Sequence, residues 1–238
     1  MPTFFCDISG VGRLTLDETE SHHLIHVLRL RLGDAVQVMD GRGTVGEGIV
    51  ANISRKCAVI DVQNVLQIAP RQTGRIALAV SIPKGPHLDA LITRCTELAA
   101  DHIALTLFER TVKQPAGRSF AERCRKISIA AAKQCGRPFL PVITGPEGLS
   151  TTLAGLVWQY PGSTVLFGRC DTAARPIAAL GLDPKVDKIA LIGPEGGLTA
   201  DEERLLEEHG AAGVRLNENI LRVETAAMAF CAVCAAGR

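Results

Sequence analysis

The spacing of apolar positions changes character near residue 70. Before it, short alternating runs dominate. Phe4, Phe5 and Ile8 predict a first strand, Ala35–Met39 another, and 45–53 and 58–65 two more. One helix, 20–30, interrupts them and aligns His22, His26 and Arg29 at i, i+4, i+7. Pro-Arg-Gln-Thr-Gly at 70–74 reads as a linker. Beyond it, apolar strands alternate with amphipathic helices. Residues 76–82 form a strand; Leu88, Leu91, Ile92, Cys95 and Leu98 then recur at helical spacing. A strand at 103–108 precedes a helix from Ser119, with Glu122 as capping-box partner, to Pro138. Thr164–Gly168 is a strand, 172–180 a weaker helix, Lys188–Ile192 a strand, 201–209 a helix, 213–216 a strand and 222–236 a final helix. This order predicts an α/β fold: a mainly parallel sheet with helices on both faces, behind a small β domain. The expected domains are 1–70 and 71–238.

The second part centres on Ile192-Gly193-Pro194-Glu195-Gly196-Gly197-Leu198-Thr199. A buried strand stops at a loop of nearly bare backbone carrying one carboxylate. A helix then begins with Thr199 as N-cap and Glu202 three residues on, and Gly210 follows its end. Open α/β sheets build ligand sites in this way, at the carboxyl ends of strands. Gly145-Pro146-Glu147-Gly148 imitates the loop without a preceding apolar strand and reads as a turn.

Composition narrows the classes. Of 238 residues, 47% are hydrophobic and 4% aromatic, so the core is aliphatic and stacking platforms for bases are few. Eight cysteines follow no paired spacing, and the lone CxxC, Cys231 and Cys234, sits in an apolar helical run. All eight read as reduced thiols of a cytoplasmic protein, with no metal site. Neither a signal peptide nor a bilayer-spanning run is expected; the longest apolar stretch, 226–236, falls short of the roughly 20 residues required.

The net charge of +1 hides an uneven distribution. Residues 1–70 hold six Lys/Arg against eight Asp/Glu, residues 71–140 twelve against five, and 141–238 eight against twelve. Arg123, Lys126, Lys133 and Arg137 fall on one helical face with no acidic residue between 123 and 137, a stripe suited to a phosphate backbone or to solvent. Two motifs are decoys. Gly41-Arg42-Gly43-Thr44-Val45-Gly46 matches GxGxxG but leads into more strand, where a dinucleotide fingerprint opens a helix. His22 and His26 have metal-ligand spacing but lack the glutamate of HExxH, which favours a basic or hydrogen-bonding face.

Read together, Gly193-Pro194-Glu195-Gly196-Gly197-Leu198-Thr199 and Leu216-Asn217-Glu218-Asn219-Ile220-Leu221-Arg222-Val223-Glu224-Thr225-Ala226 resemble the RsmE-type SPOUT methyltransferases. Further matches cover most of the chain: His26-Val27-Leu28-Arg29, Lys84-Gly85, Thr96-Glu97-Leu98, Glu109-Arg110-Thr111-Val112, and Ala131-Ala132-Lys133-Gln134-Cys135-Gly136-Arg137. Thr3, Ala99, Lys133, Cys135, Asn217 and Asn219 depart from the usual pattern. The resemblance implies a PUA-like β-barrel at 1–70, a trefoil-knotted methyltransferase domain at 71–238, a homodimer, S-adenosylmethionine as methyl donor, and N3 of a uridine in small-subunit ribosomal RNA as acceptor.

On that reading three loops hold the donor: Leu166, Phe167 and Gly168; Ile192, Gly193, Pro194, Glu195, Gly196 and Gly197; and Leu216, Asn219, Ile220 and Leu221, followed by Thr225 and Ala226. Attack by N3 is aided by proton loss, which assigns Glu195 or Glu224 to the base and Arg137 and Arg222 to the anion or a phosphate. A structural use of Glu224, capping the last helix or pairing with Arg222, stands beside that role. RNA contacts are expected from His22, His26, Arg29, Arg123, Lys126, Lys133 and Arg137. Another acceptor, such as a ribose 2′-hydroxyl, and a non-catalytic RNA-binding or ribosome-assembly role are the alternatives.

Overall fold

The structure is a computed structural model, and it describes residues 1–112, 117–171, 174–236 and 238. It divides into two units: Met1–Pro70 with Ile129–Leu140, and Arg71–Ser128 with Pro141–Arg238. The first takes in a segment, Ile129–Leu140, that the sequence assigns to the second domain.

In the first unit, strands β1 (Thr3–Phe5), β2 (Gly12–Thr15), β3 (Ala35–Met39), β4 (Thr44–Ile53) and β5 (Ala58–Gln67) form one sheet ordered β1-β3-β4-β5-β2. Its inward residues, among them Phe4, Val36, Val38, Val50, Ile60 and Val62, pack with Leu16 and Leu24. Asp17 caps helix α1 (Glu18–His22), its carboxylate accepting from the Glu20 N–H at 2.7 Å. The helix is shorter than the expected 20–30. It passes into one π turn, His23–Val27, and Arg29 beyond it has a left-handed φ of 54°. Arg29 therefore does not continue a helical face with His22 and His26.

The β3–β4 hairpin explains the false GxGxxG. Gly41 and Gly43 turn it, and side chains on them would strike Leu140 Cγ at 2.7 Å and Phe139 Cζ at 2.5 Å. The glycines make room for the segment Ile129–Leu140, which is tied in by the Gly43 N–H to Pro138 carbonyl (3.1 Å) and Leu140 N–H to Gly41 carbonyl (3.0 Å) bonds. Lys133 completes the attachment, donating to both carboxylate oxygens of Glu20 at 2.7 Å.

The second unit is built on seven strands: β6 (Ile76–Ser81), β7 (His102–Leu107), β8 (Val142–Gly148), β9 (Thr164–Gly168), β10 (Arg175–Pro176), β11 (Lys188–Ile192) and β12 (Ala212–Arg215). Their order is β10-β12-β9-β11-β6-β7-β8, and every pairing is parallel. The central strands bury alternate residues on opposite faces. Ile76, Leu78, Val80, Ala190 and Ile192 meet helices α2 (His87–Glu97), α3 (Arg118–Cys135) and α6 (Val223–Ala235). Ala77, Ala79, Ile189 and Leu191 meet α4 (Leu149–Gln159) and α5 (Ala200–Glu208). Helices thus cover both faces, as the alternation requires.

Three local expectations change. The 145–148 turn is part of edge strand β8, which supplies an exposed edge and so lacks the apolar run of a central strand. The weak helix at 172–180 reduces, among the described residues, to β10 and a 3₁₀ turn, Ile177–Leu180; residues 172 and 173 lie outside them. Helix α3 starts at Arg118, so Ser119 is inside it, and Glu122 accepts from Arg118 Nε at 3.1 Å. Helix α4 has no counterpart in the sequence reading.

Candidate functional site

The chain builds β6, β7 and β8 in one direction, then returns to place β9, β11 and β12 on the other side of β6. Neighbouring parallel strands there send their loops to the same end. That reversal is where α/β sheets open a crevice. A cavity of about 290 Å³ lies over the returning strands β12, β9 and β11, walled by the loops that follow them and the first turns of α6.

From the first loop come Gly168, Arg169 and Cys170. The second contributes Ile192, Gly193, Pro194, Glu195, Gly196, Gly197 and Leu198. Leu216, Asn217, Asn219, Ile220 and Leu221 form the third wall, and Val223, Ala226 and Phe230 the floor on α6, with Val214. The second loop is held firmly. Gly193 leaves no room for a side chain, since a Cβ would lie 2.7 Å from Leu198 Cδ2. Gly197 has φ +74°, a left-handed conformation that glycine adopts without strain. Helix α5 then starts in a complete capping box: Thr199 accepts from the Glu202 N–H and Glu202 accepts from the Thr199 N–H at 2.9 Å.

Twelve of the fifteen expected donor-binding residues line this cavity: Gly168, the six from 192 to 197, Leu216, Asn219, Ile220, Leu221 and Ala226. The other three do not. Leu166 is buried in the core under α6, Phe167 points into the opposite face, and Thr225 is exposed. Strand alternation accounts for the first two: only the residue leaving the sheet, Gly168, reaches the crevice. Arg169, Cys170, Leu198, Val214, Asn217, Val223 and Phe230 are additions. Arg169 is fixed by Glu203 at 3.2 Å and lies over the Phe167 ring, occupying space that Gly213 leaves empty.

Of the expected catalytic residues, Glu195 stands exposed on the cavity wall. Arg222 is the exposed N-cap residue of α6. Glu224 is buried in the first turn of α6, and one carboxylate oxygen lies 2.9 Å from His87 Nδ1. Its partner is therefore His87 at the start of α2, not Arg222. Arg137 lies in the first unit.

The basic stripe is broken up. Arg123 pairs with Asp89 at 2.7 Å, and Lys133 is held by Glu20 and stacked over Phe4. Acidic partners come from α2 and α1, which counting along α3 alone misses. Lys126 is exposed, as are His22 and His26, whose ring centroids are 4.8 Å apart. Eight cysteines are free thiols. Burial pushes Cys234 up to about 11 and, with neighbouring carboxylates, Cys6 up to about 12, so neither is a thiolate at neutral pH. No group of three or more potential metal ligands occurs among the described residues, and no helix there is long and apolar enough to cross a membrane.

A parallel sheet with a loop-built crevice at the carboxyl ends of β9, β11 and β12, in one chain with a small β unit, defines a two-part α/β protein with a ligand site. Residues 70–235 match the model of an RNA methyltransferase domain, and 16–63 that of an RNA methyltransferase PUA domain. The ribosomal RNA small subunit methyltransferase E of Synechocystis is 31% identical over 90% of this chain and 69% of its own. That of Bacillus subtilis is 28% identical over 87% and 83%. The Neisseria gonorrhoeae protein of that name, solved bound to S-adenosyl methionine, superposes with a TM-score of 0.86 at 26% identity, covering 98% of this chain and 96% of its own. The chain belongs to the ribosomal RNA small subunit methyltransferase E family of RNA methyltransferases.

Proposed function

We propose that this protein transfers a methyl group from S-adenosylmethionine to N3 of a uridine in small-subunit ribosomal RNA. The observation that carries the reading is the cavity itself, lined by glycine-rich backbone together with the apolar side chains of Ile192, Leu216, Ile220, Leu221 and Phe230. The donor set fits the cofactor. The cavity's apolar side chains would enclose an adenine, and backbone N–H and carbonyl groups bared by its glycines would hold the polar groups of the donor. When bound, S-adenosylmethionine supplies an electrophilic methyl group on a positively charged sulfur.

The chain's own residues do the rest. The loop 193–198 and the loop 216–221 exclude water and orient both reactants. Glu195, at the rim, is the group we assign to accept the N3 proton. Arg222 offsets the negative charge that appears on the base, and Arg137 holds RNA. Glu224, buried against His87, fixes the entry of α6 and does not need to touch the uridine. His22, His26, Arg29 and Lys126 are assigned to the RNA. We infer a C-terminal knot within the 71–238 domain and a homodimer on the strength of the family resemblance.

Two measurements test this. Calorimetric titration of the full chain with S-adenosylmethionine is expected to give saturable one-site binding. Mass-spectrometric mapping of ribosomal RNA from cells lacking the protein is expected to show one uridine without its N3 methyl group, restored on adding the protein back. Absence of binding overturns the donor, and a modified ribose overturns the acceptor.

A further inference from the structure

One feature of the crevice lies outside its wall. The turn after β7 is fixed at its base: Phe108 N–H donates to Thr111 Oγ1 at 2.8 Å, Thr111 N–H to the Phe108 carbonyl at 2.9 Å, and Thr111 Oγ1 lies 3.3 Å from Ser81 Oγ at the end of β6. This turn carries Glu109 and Arg110. Strand β7 does not pair with β11; β6 lies between them. Yet the turn reaches the loop that follows β11 and the first turn of α5 behind it, with one bond to each. The Glu109 N–H donates to Glu202 Oε1 at 2.8 Å, and Arg110 Nη1 donates to the Gly196 carbonyl at 2.6 Å.

Glu202 thereby serves two segments. One oxygen closes the capping box on the Thr199 N–H, and the other takes the N–H of the turn. Arg110 complements it at the far end of the loop. Its stem lies against Gly196, where a Cβ would sit 3.4 Å from Arg110 Cδ and 3.7 Å from its Cβ, with no other neighbour within 4 Å. Residues 193–198 line the cavity and, among the described residues, Arg110 does not. The guanidinium therefore braces the loop from behind.

We propose that Arg110 is a positioning residue for the methyl-donor loop. It acts through the Gly196 carbonyl to hold the Gly196–Gly197 backbone against the cavity, and Glu202 anchors the other end. The inference rests on the donor reading above for its catalytic consequence, but not for its structural one. A glycine pair has few conformations forbidden to it, so a loop built on it closes on a ligand at an entropic cost. An external charge-assisted hydrogen bond removes much of that freedom beforehand.

The test uses the full chain with Arg110→Ala, Arg110→Lys and Glu202→Gln. Arg110 is exposed, so its replacement leaves the core intact. In ligand-free protein, hydrogen exchange at the amides of 195–197 is expected to speed up in Arg110→Ala while the body of α5 is unchanged. Calorimetry is expected to show S-adenosylmethionine bound roughly tenfold or more weakly by Arg110→Ala. KM for the donor rises and KM for RNA does not. Arg110→Lys, which keeps a charged donor, recovers part of the affinity. Glu202→Gln is expected to speed exchange at both the Glu109 and Thr199 amides. Unchanged exchange and unchanged donor affinity in Arg110→Ala overturn the proposal. If the parent chain binds no S-adenosylmethionine, the donor reading falls, and exchange in the ligand-free chain still decides whether Arg110 braces the loop.

Discussion

Glu195 and Glu224 carry the same carboxylate and meet different surroundings. Glu195 is on an exposed loop at the cavity wall; Glu224 is buried and engaged by His87. Exposure at the cavity is the ground on which the proton is assigned to the first. Its partner in the assignment, Arg222, sits just before α6 with its side chain exposed. Glu195→Gln keeps the shape of the side chain and removes its basicity, and Arg222→Ala removes a cation. Each is expected to lower single-turnover methyl transfer by about 10²-fold, the scale of one general base or one anion-stabilising group. Donor affinity should change little in Arg222→Ala. Near-normal rates in both, with melting temperatures unchanged, sink the assignment. The sequence singled out both carboxylates equally, because only the fold brings His87 to one of them. It marked Arg110 only within the stretch Glu109-Arg110-Thr111-Val112 and gave it no role, for a related reason: its partner lies 86 residues away.

Elements were legible where their own periodicity decided them. Helix α2, with Leu88, Leu91, Ile92 and Cys95 buried, and the capped start of α5 follow directly from spacing and capping chemistry. The failures share a cause in tertiary context. Strand β8 is polar because it is an edge, and α4 follows an N-cap glycine, Gly148, with no side-chain cap to announce it. Helix α3 is the instructive case. Its positive charges look like one stripe, but Ile129–Cys135 packs with the first unit and Arg118–Ser128 with the second. Lys133 serves the fold, with side chains of Lys133 and Glu20 only 14% and 10% exposed. Removing one member leaves a charge stranded, so Lys133→Ala is expected to cost on the order of 3 kcal/mol in denaturant unfolding of the first unit. Lys126→Ala should not alter stability; it should lower the slope of log K for RNA against log salt by about one. The reverse pattern, a stable Lys133→Ala with a reduced salt slope, would return the stripe to the RNA.

At the scale of the whole molecule, the two ends of the parallel strands have separate duties. The carboxyl ends are loops, glycines and the cavity. The amino ends are held by ion pairs. Arg75 pairs with Asp187 at 2.6 Å, and Arg238 bonds the Gly74 and Ala99 carbonyls and Asp101. His102 begins β7 at this end, with Nε2 2.8 Å from Thr144 Oγ1 and Nδ1 3.3 Å from Tyr160 Oη. Arg75 stacks over the Tyr160 ring. Burial lowers the His102 pKa from 6.5 to about 4, so the native state keeps it neutral. The unfolded chain protonates near 6.5. Between these values the unfolded state binds the extra proton, so stability falls as pH drops from about 6.5 to about 4 and gains no further loss from this group below that. The full effect is roughly 3 kcal/mol, from about 1.4 kcal/mol per pH unit across the window. His102→Gln retains a group able to bond Thr144 and has no charge to acquire. Unfolding free energies from urea titrations at pH 7, 5.5 and 4.5 are therefore expected to converge: the variant is less stable than the parent at pH 7, and the gap narrows or inverts at pH 4.5. Carboxylates titrate in both proteins and cancel in the difference. A gap that stays constant with pH means that His102 is protonated in the native state as readily as in the unfolded one, and that its ring is open to water.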